Sequence, residues 1–131
     1  MDYKKSLEDV KQILIELKEE NKLVSIIVEG EKDIEALRKL GINGDIISIN
    51  KGTNLSSFCD NFAREHTKVI ILTDWDKRGG KICHVIKKNL QGRVVCNIRY
   101  RELFAKNTTV KTLEGLPTWI ETIKKKIDII N

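Results

Sequence analysis

Val69-Ile70-Ile71-Leu72-Thr73-Asp74-Trp75-Asp76-Lys77-Arg78-Gly79-Gly80 is the stretch on which the fold turns. An unbroken apolar run rich in β-branched residues reads as a strand buried on both faces, and an acidic turn ends it just ahead of two glycines. Helical spacing begins at once after the glycines, in Ile82, Val85, Ile86 and Leu90, and stops near Gly92. Strand, acidic turn and helix together make part of a βαβ unit, and the rest of the chain supplies its neighbours. Residues 23–28, 45–49 and 93–98 are further short apolar runs. Between them lie helices marked by Ile34, Leu37 and Leu40, and by Leu55, Phe58 and Phe62. Gly41 suits the end of the first helix, and Asn54 or Thr53 the start of the second. Strict alternation predicts an α/β fold: a parallel four-stranded sheet flanked by helices, joined by right-handed crossovers.

Both ends add helix. Residues 2–20 place Tyr3, Leu7, Val10, Leu14 and Leu17 on one face among charges. Beyond Ile98 the pattern weakens to a short helix over 99–106 and an exposed loop over 107–111. A last helix follows, with Pro117 in its first turn and an apolar stripe of Trp119, Ile120, Ile123, Ile127 and Ile130. With no linker or repeat in view, residues 1–131 are expected to form one domain, with a core at about 23–98, an N-terminal helix at 2–20 and a helical extension at 99–131.

Composition narrows the class. The chain has 131 residues, 40% hydrophobic and 33% charged with a single proline, which excludes a disordered or fibrous protein. No apolar run approaches a membrane span, and the opening MDYKKSLEDV lacks a signal-peptide core, so a soluble, cytoplasmic protein is expected. Cys59, Cys83 and Cys96 fit neither a disulfide framework nor paired zinc ligands and read as reduced core thiols. His66 and His84 lack ligand-spaced neighbours and read as structural or solvated. A net charge of +5 is compatible with nucleic-acid binding.

Ligands of an open parallel sheet gather beyond the carboxyl ends of its strands. Glu29 and Gly30 follow the first strand, and Asp74 and Asp76 the third. If extended backbone persists through residue 76, both aspartates point to one side, and Glu29 adds a third carboxylate. Such charges repel unless a cation sits among them, and an all-oxygen donor set suits Mg²⁺ or Mn²⁺ better than zinc. The alternative is that these acids only cap helices and shape turns. Trp75 either stacks on a base or packs beneath a neighbouring loop. Arg78 and Lys81, with Lys87, Lys88, Arg93, Arg99 and Arg101, face either phosphate or solvent.

Residues 26–42, with Glu29-Gly30 after a hydrophobic strand and Asp33 four residues beyond the glutamate, resemble the first motif of the Toprim family. Residues 69–80, with Asp74-Trp75-Asp76 before a basic residue and a glycine, resemble its second. Toprim domains are Rossmann-like and are shared by bacterial primases, type IA and type II topoisomerases, overcoming-lysogenization-defect nucleases, recombination-repair proteins and the ribonuclease that matures 5S ribosomal RNA. The resemblance covers about 23–98 and is greatest to small stand-alone Toprim proteins of archaea and bacteria. It implies Mg²⁺, with Mn²⁺ as substitute, held by Glu29, Asp74 and Asp76, and a role for Glu29 as ligand or catalytic acid-base. It also implies that residues 46–53 form the second strand and its glycine turn, where Asn50 and Lys51 approach a phosphate. Topoisomerases carry a third acid where this chain has Arg78, and primase-like members carry acids where it reads Arg99-Tyr100-Arg101-Glu102. The implied function is hydrolysis or nucleotidyl transfer on nucleic-acid phosphodiesters. A non-catalytic Mg²⁺- and nucleic-acid-binding module that recruits a larger complex is the alternative. A phosphoacceptor receiver domain is a third reading, but it requires a lysine after a fifth strand that the sequence does not show.

Overall fold

The computed structural model describes residues 2–49 and 54–130. Helix α1 (Tyr3–Asn21) leads into β1 (Ile26–Val28), α2 (Glu31–Lys39), β2 (Ile46–Ser48), α3 (Leu55–Glu65), β3 (Lys68–Ile71), α4 (Lys77–Leu90) and β4 (Val95–Asn97). α5 (Arg99–Asn107) and α6 (Leu116–Ile130) follow. The strands form the expected parallel four-stranded sheet, in the order β2-β1-β3-β4. Each strand is shorter than its apolar run. Leu23, for example, is 94% exposed in the turn after α1 and never joins the ladder.

Alternation along the strands divides the interior. Ile26, Val28, Ile70 and Leu72 face a core built with Leu17 of α1, Leu37 of α2, Phe104 of α5 and Ile120 of α6. Ile27, Val69 and Ile71 face the opposite core, closed by α3 and α4 through Cys59, Phe62, Cys83, Ile86 and Leu90. Full burial of each large aliphatic side chain contributes about 1.5–3 kcal/mol, so a sheet face left bare would be costly. The terminal helices therefore complete the face that α2 covers only in part.

Asn21, buried at the end of α1, fastens that helix to the sheet. Its amide donates to the carbonyls of Val24 and Asp45, 3.0 Å each, and its Oδ1 accepts from the Gly44 N–H at 2.8 Å. A side chain at residue 44 would collide with Asn21, so glycine is required there. Gly41 follows the α2 C-cap at φ +85°, the left-handed conformation expected of it. Asn54 caps α3, accepting from the Ser57 N–H at 2.7 Å.

Two expectations need correction. Residues 107–111 are not simply an exposed loop: Thr108 is buried and its hydroxyl donates to the Phe104 carbonyl at 2.8 Å, while Val110 packs on the core. The stripe of α6 also ends early, since Ile130 is 71% exposed and Ile123 is its last buried member. Cys59 and Cys83 are buried free thiols and Cys96 is half-buried. Among the described residues, no helix is long and apolar enough to cross a membrane.

β1 and β3 are neighbours, yet the helices that follow them cover opposite faces. Their carboxyl ends flank a topological switch point, where the diverging chains open a crevice.

Candidate functional site

Glu29 is the first residue beyond β1, and its side chain is only 11% exposed. Its Oε2 accepts from the Asp74 N–H at 2.8 Å, tying the end of β1 to the turn after β3. Its Oε1 is buried and accepts no hydrogen bond of proper geometry, although the Arg78 guanidinium lies 3.1 Å away. A buried carboxylate oxygen without an aligned donor is costly, and the charge of Arg78 offsets that cost only in part.

Asp74 lies beside it, its Oδ1 accepting from the Leu113 N–H at 2.9 Å. Burial pushes its carboxyl from 3.8 up to about 6, against the pull of the Leu113 N–H and with help from the charges of Glu29, Asp33 and Asp76. Asp33, buried in the first turn of α2, accepts from the Gly30 N–H at 3.1 Å. Burial raises its carboxyl too, with the charges of Glu29 and Glu114 adding to the effect and the Gly30 N–H opposing it.

Asp76 takes a different part. It lies five residues beyond the end of the β3 ladder at Ile71 and is itself extended, at φ -83° and ψ 177°. Its Oδ1 accepts from the Gly79 N–H at 2.7 Å and caps α4, while Asp74 lines the crevice. The cleft, about 530 Å³, is lined by Glu29, Asp33, Ser48, Asp74, Arg78 and Glu114 among others, but not by Asp76 or Lys81. Lys81 is exposed one turn further along α4. Lys51 and Asn50 lie outside the described residues. Among the described residues, no group of three or more His, Cys, Asp and Glu side chains is gathered so as to hold a metal ion.

The acidic turn is held from three sides. Thr73 Oγ1 donates to the Gly79 carbonyl at 2.8 Å, and a side chain at residue 79 would run into the Asp74 backbone. Arg101 of α5 donates from Nε to the carbonyl of Thr73 at 3.1 Å and from Nη2 to that of Asp74 at 2.9 Å. Trp75 packs rather than facing solvent: its Nε1 donates to the Val110 carbonyl at 2.7 Å, its ring stacks on Phe104 at 5.2 Å, and its backbone N–H donates to Lys111 at 3.0 Å.

Glu114 and the Leu113 N–H are participants that the sequence reading missed, and Arg101, read there as facing phosphate or solvent, instead braces the acidic turn. Each comes from the region after β4, where no periodic pattern ties a residue to the strand ends. A backbone N–H carries no signature in sequence at all.

Comparisons with known proteins bear on the family and the fold. Residues 24–107 match the Toprim domain. A UPF0292 protein of Thermoplasma volcanium is 34% identical over 111 residues, covering 83% of this chain and 93% of its own. One from Methanosarcina acetivorans is 31% identical over 131 residues, covering 97% and 90%. Among solved structures, a protein from Aquifex aeolicus superposes with a TM-score of 0.69 at 26% identity, covering 79% of this chain and 94% of that one.

Proposed function

The chain belongs to the Toprim domain family, and from that premise we propose that it binds Mg²⁺ at the β1/β3 crevice and acts there on nucleic-acid phosphodiesters. Toprim domains generally bind divalent metal and are associated with nucleic acid. The observation that carries the reading is the buried Glu29 Oε1, without an aligned donor, beside an Asp74 whose carboxyl is pushed up by burial and by neighbouring acids. Both features are relieved by a hard cation, and the donors are all oxygen, which favours Mg²⁺ or Mn²⁺.

Glu29 and Asp74 are the residues that would hold the ion, with Asp76 close enough for its charge to be felt by Asp74. Bound there, the ion supplies Lewis-acid stabilisation of a phosphoryl oxygen. Glu29, with one oxygen fixed by the Asp74 N–H, is oriented to complete the coordination or to move a proton. Arg78, 74% exposed at the cleft wall, is placed to meet a phosphate. Cleavage or extension of structured RNA and single-stranded DNA, assayed with Mg²⁺ and with Mn²⁺, tests the reading. Activity is expected in wild type and lost in Asp74→Asn.

A second reading has its own support. Asp76 spends an oxygen on the α4 cap and Arg78 stands against Glu29, which leaves few carboxylates for a two-ion site. Metal-dependent binding without turnover, in that same assay, would establish the non-catalytic module.

A further inference from the structure

No acid lies between Asp76 and Glu102, in a chain that contains 19. That interval includes the whole of α4. Lys77, Lys81, His84 and Lys88 recur at i, i+4, i+7 and i+11 and are all exposed, so they form one stripe down the outer face of the helix. At ~1.5 Å per residue the stripe is ~16 Å long, enough to follow several consecutive nucleotides of a strand.

Among the described helices α4 alone contains no acid, which sets its face apart from the mixed charge of the others. α1 and α6 carry acids beside their lysines, and some of these pair, as in Lys5–Asp9 and Lys124–Glu121. Among the described residues, Lys77, Lys81, Lys87 and Lys88 take part in no ion pair. The macrodipole favours Lys87 and Lys88 in the last turn but disfavours Lys77 and Arg78 in the first, so helix stability accounts for only part of the positive charge.

The stripe also connects two concavities. Next to its first member, Lys77, the neighbouring Arg78 lines the acidic cleft. At its far end His84, Lys87 and Lys88 line an open groove of about 580 Å³ with Gly92, Val94 and Cys96, beside β4 at the edge of the sheet. We propose that α4 is a phosphate track, along which the backbone of a nucleic-acid strand runs from the cleft to the groove at β4. A positively charged groove of this kind holds the backbone without reading sequence. The proposal rests on the reading of the cleft as a nucleic-acid site and adds to it the path of the strand.

The test is fluorescence anisotropy with labelled single-stranded RNA and single-stranded DNA over a salt series. Lys81→Gln/Lys88→Gln is compared with Lys11→Gln/Lys18→Gln on α1, which removes the same charge from another exposed face. Neutralising two phosphate contacts should make the slope of log K against log salt shallower by about 1.4, at roughly 0.7 per contact on a single strand, while the α1 variant keeps the wild-type slope. The RNA and DNA arms show which strand the track accepts. Equal slopes for the two variants, or no binding of either strand by wild type, overturn the proposal. Melting curves with and without Mg²⁺ separate it from the cleft reading. If Asp74→Asn loses the Mg²⁺ response while the stripe variant binds as the α1 variant does, the track alone is wrong. If Asp74→Asn responds as wild type but the stripe still governs binding, the cleft reading is wrong and the track stands.

Discussion

At the scale of single residues, Asp74 makes the site measurable without a substrate. Its carboxyl titrates near 6 in the folded chain against 3.8 ordinarily, so the folded state binds that proton more tightly than the unfolded state does. The contribution to stability is therefore full below about pH 4, falls as pH rises from about 4 to about 6, and is flat above. With the open side of the cleft allowed for, the loss should be on the order of 1–2 kcal/mol. Denaturant titrations in chelator should show this decline, reduced in Asp74→Asn, which keeps an oxygen for the Leu113 N–H. Mg²⁺ at neutral pH should reverse it in wild type, raising stability by about 2.7 kcal/mol at a hundredfold excess over Kd. A melting temperature indifferent to millimolar Mg²⁺, or Asp74→Asn responding as wild type does, would sink the metal site. Gly79 offers a second check. Gly79→Ala drives a methyl group into the Asp74 backbone, so it should cost about 1–3 kcal/mol and weaken the Mg²⁺ response along with stability.

At the scale of elements, the acidic turn and the segment after α5 form one unit. Trp75 joins them through its ring on Phe104 and its hydrogen bond to Val110. Trp75→Phe keeps most of the stack and loses the hydrogen bond to the Val110 carbonyl, which retains the Thr108 hydroxyl at 3.1 Å, so it should cost about 1 kcal/mol; Trp75→Ala loses the packing as well and should cost about 3 kcal/mol or more. Urea unfolding of both variants checks the order, and equal costs would mean that the ring contributes nothing beyond its hydrogen bond. The strands were legible because parallel strands buried on both faces must be written in continuous Val and Ile, as at residues 26–28 and 69–71. The helices between them were legible from their 3.6-residue stripes. Glu29 and Asp74 could be named because each is the first or an early acid beyond a strand. The cap made by Asp76 could not be separated from a ligand role, since an aspartate suits either and only the position of the α4 N-terminus shows the cap. Residues 107–111 read as polar loop because their burial depends on Trp75, a partner more than thirty positions away that no local pattern reveals.

At the scale of the whole molecule, the helices outside the alternating core belong to the site as much as to the fold. α6 and the segment before it bring Leu113, Leu116, Trp119, Ile120 and Ile123 to the core that backs β1 and β3. At about 1.5–3 kcal/mol for each buried side chain, their removal approaches or exceeds the 5–15 kcal/mol by which domains are ordinarily stable. The same cut takes the Leu113 N–H from Asp74 and Glu114 from the cleft wall. A chain ending at Asn107 should therefore show no cooperative thermal transition, and Mg²⁺ should not restore one. A chain ending at Ile127 sheds Ile129 and Ile130, which are 84% and 71% exposed, and should melt close to the full-length protein with its Mg²⁺ response intact. Circular dichroism melts of the two truncations, each with Mg²⁺ and with chelator, separate the cases. Cooperative, Mg²⁺-responsive melting of the chain ending at Asn107 would mean that the sheet carries its site unaided, and that the hydrogen bond from Leu113 to Asp74 is incidental.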